Sequence, residues 1–338
     1  MKTKFIITTV GLFFGFAFFV HAQQTPSPLI NSFRTYKEMK EESKFNLNWI
    51  SLGPTLNSAR ADVVQVDTAH PGTMYVGFGS GGLWKTVNNG LSWKSIFEEQ
   101  AGFSIGDFAI APSNPNILYI GTGENLKKPR NYTLPGTGMY RSNDAGKTWE
   151  HIGLEDSWSI AEIAVDPTNP NIVVVSVLGH LWTTNKNRGI YRTTDGGKTW
   201  EKILYVNDQT GVADMVADPS NPNKILVAMW EYGRKPWFFN SGGPGSGLHV
   251  TFDGGDTWSK RTDADGLPKG PLGRIGLAIA RSKTNIIYAL VEAKENGLYK
   301  STDGGFKWTL VGKGEGVSDR PFYYHEIYVD PKNENRIY

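Results

Sequence analysis

The sequence predicts an all-β fold, and three observations support this expectation. A motif of the form Ser/Thr-x-Asp-x-Gly-x-x-Trp recurs five times, at spacings of 50 to 58 residues, with Asn in place of Asp in the first copy. Each copy follows a short Gly-apolar-aromatic run such as Gly189-Ile-Tyr191, and turns with Asn and Pro precede β-branched stretches further upstream. Gly is abundant, at 39 of 338 residues. A period near fifty with four strand-like runs per unit indicates a β-propeller of four-stranded blades.

Residues 1–22 are predicted to be a secretory signal peptide. Lys2 and Lys4 give a positive start, an apolar stretch follows, and a small-residue cleavage site ends at Ala22. The apolar stretch is short for a membrane span. We therefore expect cleavage after Ala22, no membrane span afterwards, and a secreted, periplasmic or cell-surface location.

Residues 23–45 form a polar segment ahead of the repeats. Residues 31–44 predict one short amphipathic helix with Phe33, Tyr36 and Met39 on one side. No other stretch has helical periodicity over ten residues, so the rest is expected to be β-structure.

Residues 46–338 are expected to form a partial propeller of five blades and the start of a sixth. The predicted blades span residues 58–98, 102–153, 158–205, 210–261 and 272–312, and the sixth occupies residues 323–338. The last predicted blade is incomplete, and the segment around Trp49 resembles a fourth strand without its blade. We expect this sequence to be the N-terminal part of a longer protein whose remainder completes the propeller.

The repeated motif is expected to hold the turn between the third and fourth strands of each blade. Its Asp accepts backbone hydrogen bonds, its Gly permits positive φ, and its Trp packs between sheets. The structural set comprises Asn88, Asp144, Asp195, Asp253, Asp303, Trp93, Trp149, Trp200, Trp258 and Trp308.

These five motifs resemble the Asp box, or bacterial neuraminidase repeat. From about Trp49 onward the chain is similar to the propeller of the sortilin (Vps10) N-terminal family and its large exported bacterial relatives. The resemblance includes residues 79–85, 178–182 and 242–247. It implies a ligand-binding or scaffold propeller, related in fold to xyloglucanase-like glycoside hydrolases and sialidases.

The catalytic signatures of those two enzyme groups are not found. In the xyloglucanase-like family a catalytic Asp lies in Arg-Thr-Asp-x-Gly-Gly-x-Tyr-Arg, and Gly79 stands at the matching position. Sialidases begin with Arg-Ile-Pro, whereas the nearest stretch here is Gly273-Arg-Ile-Gly276.

Aromatic and basic residues are concentrated in three long loops between the second and third strands of their blades. Such side chains can stack on sugar faces or anchor a peptide. The alternative is that they fold back over the rim as a self-packed loop. The ligand-binding candidates are Arg130, Tyr132, His180, Trp182, Tyr232, Arg234, Trp237 and Phe238.

Acidic residues recur at one position of the innermost strands, with Gly276 at that position in the fifth blade. The set is Asp62, Asp107, Glu162, Asp214 and Glu326. The first four are weak catalytic candidates, because carboxylates around a channel can act as an acid–base pair or hold a cation. The alternative is a repeat-consensus role, in which each acid bonds backbone or an Arg such as Arg60 or Arg274.

Composition excludes several function classes. The chain has 35 basic and 33 acidic residues, and loss of Lys2 and Lys4 makes the two equal, so no nucleic-acid partner is expected. Cys is absent, which excludes disulfides and thiolate chemistry. No metal or cofactor is expected.

The sequence therefore favours an exported propeller that binds a protein or polysaccharide without catalysis. The alternative is a xyloglucanase- or sialidase-like glycoside hydrolase whose carboxylates lie in the channel or beyond residue 338.

Overall fold

A computed structural model describes residues 27–45, 60–125, 133–314, 316–318, 320–321 and 325–338. The predicted signal peptide, Trp49, Arg130, Tyr132 and the first two residues of the predicted sixth blade lie outside these ranges. The described part is nearly all β-structure in antiparallel four-strand units, as the repeat predicts.

Three successive sheets follow the chain from residue 61 to residue 204. The first contains β1 (Ala61–Val66), β2 (Met74–Phe78), β3 (Gly82–Thr86) and β4 (Lys94–Ser95). The second contains β5 (Ile105–Ile110), β6 (Leu118–Thr122), β7 (Met139–Ser142) and β8 (Glu150–His151). The third contains β9 (Ile160–Val165), β10 (Val173–Val177), β11 (Gly189–Thr193) and β12 (Glu201–Leu204).

Two further sheets and one strand pair follow. The fourth sheet contains β13 (Thr210–Asp218), β14 (Asn221–Lys235), β16 (Gly247–Thr251) and β17 (Ser259–Lys260), and β15 (Phe238–Ser241) pairs with the end of β14. The fifth contains β18 (Ile275–Ile279), β19 (Ile287–Val291), β20 (Gly297–Ser301) and β21 (Thr309–Lys313). The pair is β22 (Val329–Asp330) with β23 (Asn333–Ile337). Short 3₁₀ turns occur at Glu155–Ser157 and Asp263–Asp265.

Each hydrophobic core lies between two consecutive sheets. Between the first and second sheets, for example, Tyr75 and Leu83 pack with Phe108 and Ile120. The same arrangement recurs down to the strand pair, where Ile327 packs against Tyr288 of the fifth sheet. Burial of apolar side chains between neighbouring sheets therefore joins each four-stranded unit to the next.

The helix α1 spans Pro28–Glu42 and begins three residues before the predicted start. Ser27 caps it, because its hydroxyl accepts a hydrogen bond from the Ile30 amide at 3.3 Å, and Pro28 suits the first helical position. Ile30 is the buried residue, whereas Tyr36 and Met39 are exposed. Within the described ranges, this helix and the short turns include nothing long and apolar enough to cross a membrane.

Candidate functional site

The acidic residues of the innermost strands line one cavity of about 760 Å³. Asp62, Asp107 and Glu162 are among the first three residues of their strands, and Asp107 pairs across the sheet with Gly121, next to the last residue of β6. These acids therefore lie toward the face that carries the loops after the second strands, the face on which the sequence predicts binding, while the lining also continues past the other ends of the strands, to Pro219, Arg281 and Pro331. The lining includes Asp62, Asp107, Glu162, Asp214 and Glu326.

The fifth sheet has Gly276 where the others have an acid, and the packing explains the exception. A Cβ at Gly276 would collide with the backbone oxygen of His325. No side chain fits there, so the set of acids is interrupted at this sheet.

Two of these five acids, called the channel acids below, accept the same hydrogen bond from the next sheet. The Asp107 carboxylate accepts a hydrogen bond from the Ile163 amide at 2.6 Å, and Asp214 accepts one from the Leu277 amide at 2.7 Å. A buried amide needs such an acceptor, and each bond ties an innermost strand to its neighbour. For these two acids the contacts agree with the repeat-consensus alternative.

Burial acts against the charged form of these carboxylates. It raises the pKa of Asp107 to about 7, although backbone hydrogen bonds oppose the change. It likewise raises the pKa of Asp214 to about 6, against the opposing effects of the Leu277 amide and the Arg274 charge. Both groups therefore hold a proton more tightly than an exposed Asp does.

Glu162 differs from Asp107 and Asp214 in its contacts. Among the described residues, no donor makes a hydrogen bond to its carboxylate. Burial, followed by the charges of Asp107, Asp214 and Glu326, raises its pKa well above the usual value. A carboxyl group with free acceptor sites and a raised pKa faces the cavity, which makes Glu162 the channel acid best placed to meet a ligand.

A second group of charges lies beside Gly79. A Cβ at Gly79 would lie 2.5 Å from Oδ2 of Asp62 and 3.0 Å from the Glu124 side chain. Arg60 forms an ion pair with the buried Glu124. Gly79, which replaces the Asp of the xyloglucanase signature, thus leaves room for the carboxyl groups of two other residues.

Arg274 lies just before β18 on the cavity wall. Only 4% of the residue is exposed, and its guanidinium lies 5.7 Å from the centre of the Trp230 ring. Its backbone amide donates to Glu292 at 2.7 Å. Burial lowers the pKa of Arg274, and the neighbouring carboxylates, Glu326 first, act in the opposite direction.

The loop aromatics divide into packed and exposed side chains. Tyr232 is 3% exposed, and its hydroxyl reaches the carbonyl of His180 at 2.9 Å. Trp182 packs against the same cluster. These two follow the self-packed alternative, whereas Trp237 is 80% exposed and Phe238 is 50% exposed, near the turn between β14 and β15.

Two polar candidates in these loops already have partners. Nε2 of His180 lies 2.7 Å from Asp156, and its Nδ1 lies 3.0 Å from the Thr183 hydroxyl. The Arg234 guanidinium lies 5.6 Å from the centre of the Phe239 ring. The structure therefore leaves Trp237 and Phe238 as the exposed members of the described candidate set.

The repeated motifs lie in the turns between the third and fourth strands, away from the cavity. In the second sheet, the Asp144 carboxylate accepts hydrogen bonds from the Thr148 amide at 2.9 Å, the Thr148 hydroxyl at 2.7 Å and the Ser142 hydroxyl at 2.8 Å. Burial alone would raise the pKa of Asp144, but these hydrogen bonds lower it to about 2. The same bonds recur at Asp195 and Asp253. Asn88 accepts the corresponding bonds from the Ser92 amide and the Thr86 hydroxyl.

Tryptophans of the motif pack against the preceding sheet. The indole of Trp149 donates to the Ile96 carbonyl at 2.8 Å, and that of Trp200 to the Ile152 carbonyl at 2.7 Å. Trp258 and Trp308 also belong to intersheet clusters. Trp93, in the first sheet, is 39% exposed.

The sequence reasoning missed three glutamates in or just after the second strands. Glu124, Glu231 and Glu292 hold the loops near the cavity: Glu231 accepts from the Gly245 amide at 2.8 Å, and Glu292 accepts from the Ser241 hydroxyl at 2.5 Å. Glu124 and Glu292 follow β6 and β19, and Glu231 lies in the last part of β14, a recurrence that alignment of the repeats could have found. Among the described residues, no group of three or more His, Asp or Glu side chains is arranged to hold a metal ion.

Comparison with known proteins supports this fold. A xyloglucanase from Paenibacillus sp is 26% identical over 252 residues, covering 65% of this chain and 22% of the enzyme. The crystal structure of the GH74 enzyme of Niastella koreensis superposes with a TM-score of 0.60 at 18% identity, covering 82% of this chain and 43% of that one. The chain is thus a β-propeller protein related to glycoside hydrolases, and it spans about a fifth of that xyloglucanase.

Two further comparisons concern a family model and a second kind of curated relative. Residues 137–266 match the family model described as Sortilin, neurotensin receptor 3, which confirms the similarity to the sortilin family over that stretch. The photosystem II assembly lipoprotein Ycf48 of a Synechococcus strain is 30% identical over 162 residues, covering 47% of this chain and 39% of that protein.

Proposed function

We propose that this chain is an exported Asp-box propeller that binds a polysaccharide at the cavity mouth and the adjacent loop face. The observation that carries this proposal is the cavity of about 760 Å³, in which carboxylates and Arg274 line the part toward the face that bears the long loops. Carboxylates accept hydrogen bonds from sugar hydroxyls, and guanidinium groups donate to them. The xyloglucanase relative favours a polysaccharide over a protein ligand.

Trp237 extends this site in the proposal. An indole that is 80% exposed near a hairpin turn offers a flat apolar face on which a sugar ring can stack. Tyr232, in the same loop, is 3% exposed and supports the loop from beneath. The loop thus combines a buried Tyr232, which packs it against the protein, with an exposed indole of Trp237.

The test measures binding of the full chain to xyloglucan and to other plant and bacterial glycans. Trp237→Ala is expected to weaken binding about tenfold, equivalent to about 1.4 kcal/mol, and to leave the thermal midpoint unchanged. Phe252→Ala is the control, because Phe252 is also exposed (40%) but lies in a repeat turn. Equal losses for the two variants, or a large loss of stability in Trp237→Ala, would contradict this role.

Hydrolysis of a glycoside is the second candidate, and the raised pKa of Glu162 favours it. A general acid must hold its proton near neutral pH, and burial beside other carboxylates produces that property. Against it, Asp107 and Asp214 already accept backbone hydrogen bonds. Turnover of xyloglucan or aryl glycosides that is lost in Glu162→Gln would establish catalysis, whereas binding without turnover supports the first proposal. A chain that binds no glycan would instead point to a protein ligand.

A further inference from the structure

Arg274 has hydrogen-bonding capacity that the protein does not use. Among the described residues, its Nη1 is buried and makes no hydrogen bond. Nor does Arg274 take part in any ion pair between described residues. Because buried donors are normally satisfied, a charged group that is 4% exposed and unpaired on a cavity wall requires an explanation.

The surroundings hold this guanidinium in place. Trp230 lies beneath it, with 5.7 Å between the guanidinium carbon and the ring centre. The Glu292 carboxylate accepts a hydrogen bond from the backbone amide of Arg274 at 2.7 Å, so it fixes the main chain rather than the donor fork, that is, the N–H groups of the guanidinium. The donor fork is thus positioned before any ligand arrives, which lowers the entropic cost of binding.

The charges around Arg274 select the kind of ligand. Asp214, Glu162 and Glu326 act on it electrostatically without pairing with it. Arg60 is already paired with Glu124, and Arg281 lies past the other end of β18. Beside Arg274, an anionic ligand would therefore meet several carboxylates that form no ion pair among the described residues, with one guanidinium to offset them.

We propose that Arg274 anchors a neutral, hydroxyl-bearing sugar in the cavity, and that the site discriminates against acidic sugars. A sugar hydroxyl can accept a hydrogen bond from the Arg274 guanidinium and donate one to a cavity carboxyl oxygen such as that of Glu162, whereas a sugar carboxylate can only accept. This inference rests on the proposed polysaccharide-binding function and adds the chemical class of the ligand and the residue that selects it.

The experiment measures binding of the full chain at pH 8 to a neutral xyloglucan oligosaccharide and to an oligogalacturonate of similar length. The wild type is expected to bind the neutral sugar at least tenfold more tightly. Arg274→Gln is expected to lose at least tenfold in affinity for it. Arg274→Lys keeps the charge but loses the planar fork, so it should also bind less tightly. It provides a second readout if the Gln variant does not fold.

Arg281→Gln is the matched control, since Arg281 is exposed and follows β18, at the opposite end of that strand from Arg274 and from the proposed sugar contact. It removes the same charge and is expected to bind normally. Unchanged affinity in both Arg274 variants would overturn the anchoring role while leaving the binding function intact. Tighter binding of the acidic sugar would overturn the selectivity. Failure of the wild type to bind either sugar would overturn this inference and the proposed function together.

Discussion

Carboxylates of the repeat turns and carboxylates of the channel are the same chemical group, repeated with the same period, in opposite environments. Asp144 is surrounded by donors from its own turn, and its pKa is lowered to about 2. Glu162 receives no hydrogen bond from the described residues, and its pKa is raised. Repetition alone therefore does not identify a function, because the donors around each carboxylate decide whether it is stabilised as an anion.

The same comparison separates turn carboxylates, which stabilise the fold, from cavity carboxylates, which destabilise it. A turn carboxylate satisfies amides and hydroxyls that the hairpin would otherwise leave to water. A channel carboxylate is buried beside others of like charge, which costs folding free energy at neutral pH. Groups that cost stability and face a cavity are candidates for ligand contact.

Removal of a turn carboxylate should have the largest effect on stability. Asp195→Ala removes an acceptor shared by the Thr199 amide, the Thr199 hydroxyl and the Thr193 hydroxyl. We expect the unfolding free energy to fall by about 1–2 kcal/mol, measured by denaturant unfolding, with unchanged glycan affinity. Asp195→Asn is the control and should cost much less, because Asn88 occupies the same place in the first sheet. A weaker glycan affinity in Asp195→Ala would contradict the distinction between turn carboxylates, which hold the fold, and cavity carboxylates, which contact the ligand.

Neutralisation of a channel carboxylate should have the opposite sign. Glu162→Gln removes a buried carboxyl group whose ionised form is disfavoured by burial and by Asp107, Asp214 and Glu326. We expect the thermal midpoint at pH 8 to rise, with a gain of about 1 kcal/mol, while affinity for the neutral sugar falls. A lower midpoint would mean that Glu162 stabilises the fold as the turn carboxylates do, which would contradict the predicted opposite sign.

The pH dependence of stability should change sign between the two groups. An unfolded Asp releases its proton near pH 4, whereas folded Asp107 holds one up to about pH 7 and folded Asp214 up to about pH 6. Since the folded state binds the extra protons, the contribution of these two groups to stability should fall as the pH rises from about 4 to 7. For Asp144 and Asp195, with a pKa of about 2, stability should instead be lost as the pH falls from about 4 to 2.

Thermal midpoints recorded from pH 2 to pH 8 test these contributions. Buried His249 and His325, whose pKa values are lowered to about 4 and about 3, act in the opposite direction, since a His that stays neutral in the folded state makes stability rise with pH. The test is therefore the difference between the wild type and the double variant Asp107→Asn, Asp214→Asn: the variant should gain stability relative to the wild type between pH 5 and pH 8, while the acid limb stays in place. A difference that stays constant over this range would contradict the raised values.

Conversion of the divergent turn to the repeat consensus should have the smallest effect. In Asn88→Asp the new carboxylate would accept from the Ser92 amide, now 3.0 Å from Asn88, and from the Ser92 hydroxyl, which at present accepts at 2.9 Å from the Asn88 side-chain amide. We expect a gain of at most about 0.5 kcal/mol at pH 7, which should disappear below pH 3 as the carboxylate protonates. A loss of stability at pH 7 would mean that this turn needs the amide as a donor.

The repeat was enough to predict the fold class and the four-strand units, because turn chemistry and strand alternation are local properties that recur in each copy. Alignment of the copies also placed Asp62, Asp107, Glu162 and Asp214 together, and all four line the same cavity. The sequence could not separate Tyr232 from Trp237, two aromatics five residues apart. Their exposure depends on how the β14–β15 hairpin lies over the third sheet, which is a tertiary property.

Arg274 was predicted only as a partner for the acids. Its unpaired Nη1 depends on distances to residues far apart in sequence, such as Glu162 and Glu326, and no spacing rule encodes these distances. Likewise, the absence of an acid at Gly276 follows from the backbone of residue 325. Local pattern thus specifies the repeat, while departures from it are set by contacts between units.

The most direct test of the contrast is a ¹³C NMR titration of the Asp side-chain carboxyl carbons in the full chain. We predict two populations: Asp144 and Asp195 should titrate near pH 2, and Asp107 and Asp214 near pH 7 and pH 6. Assignment by single Asp→Asn variants would link each curve to its residue. Titration of all four near pH 4 would contradict the account, because the two groups would then have the same electrostatic environment.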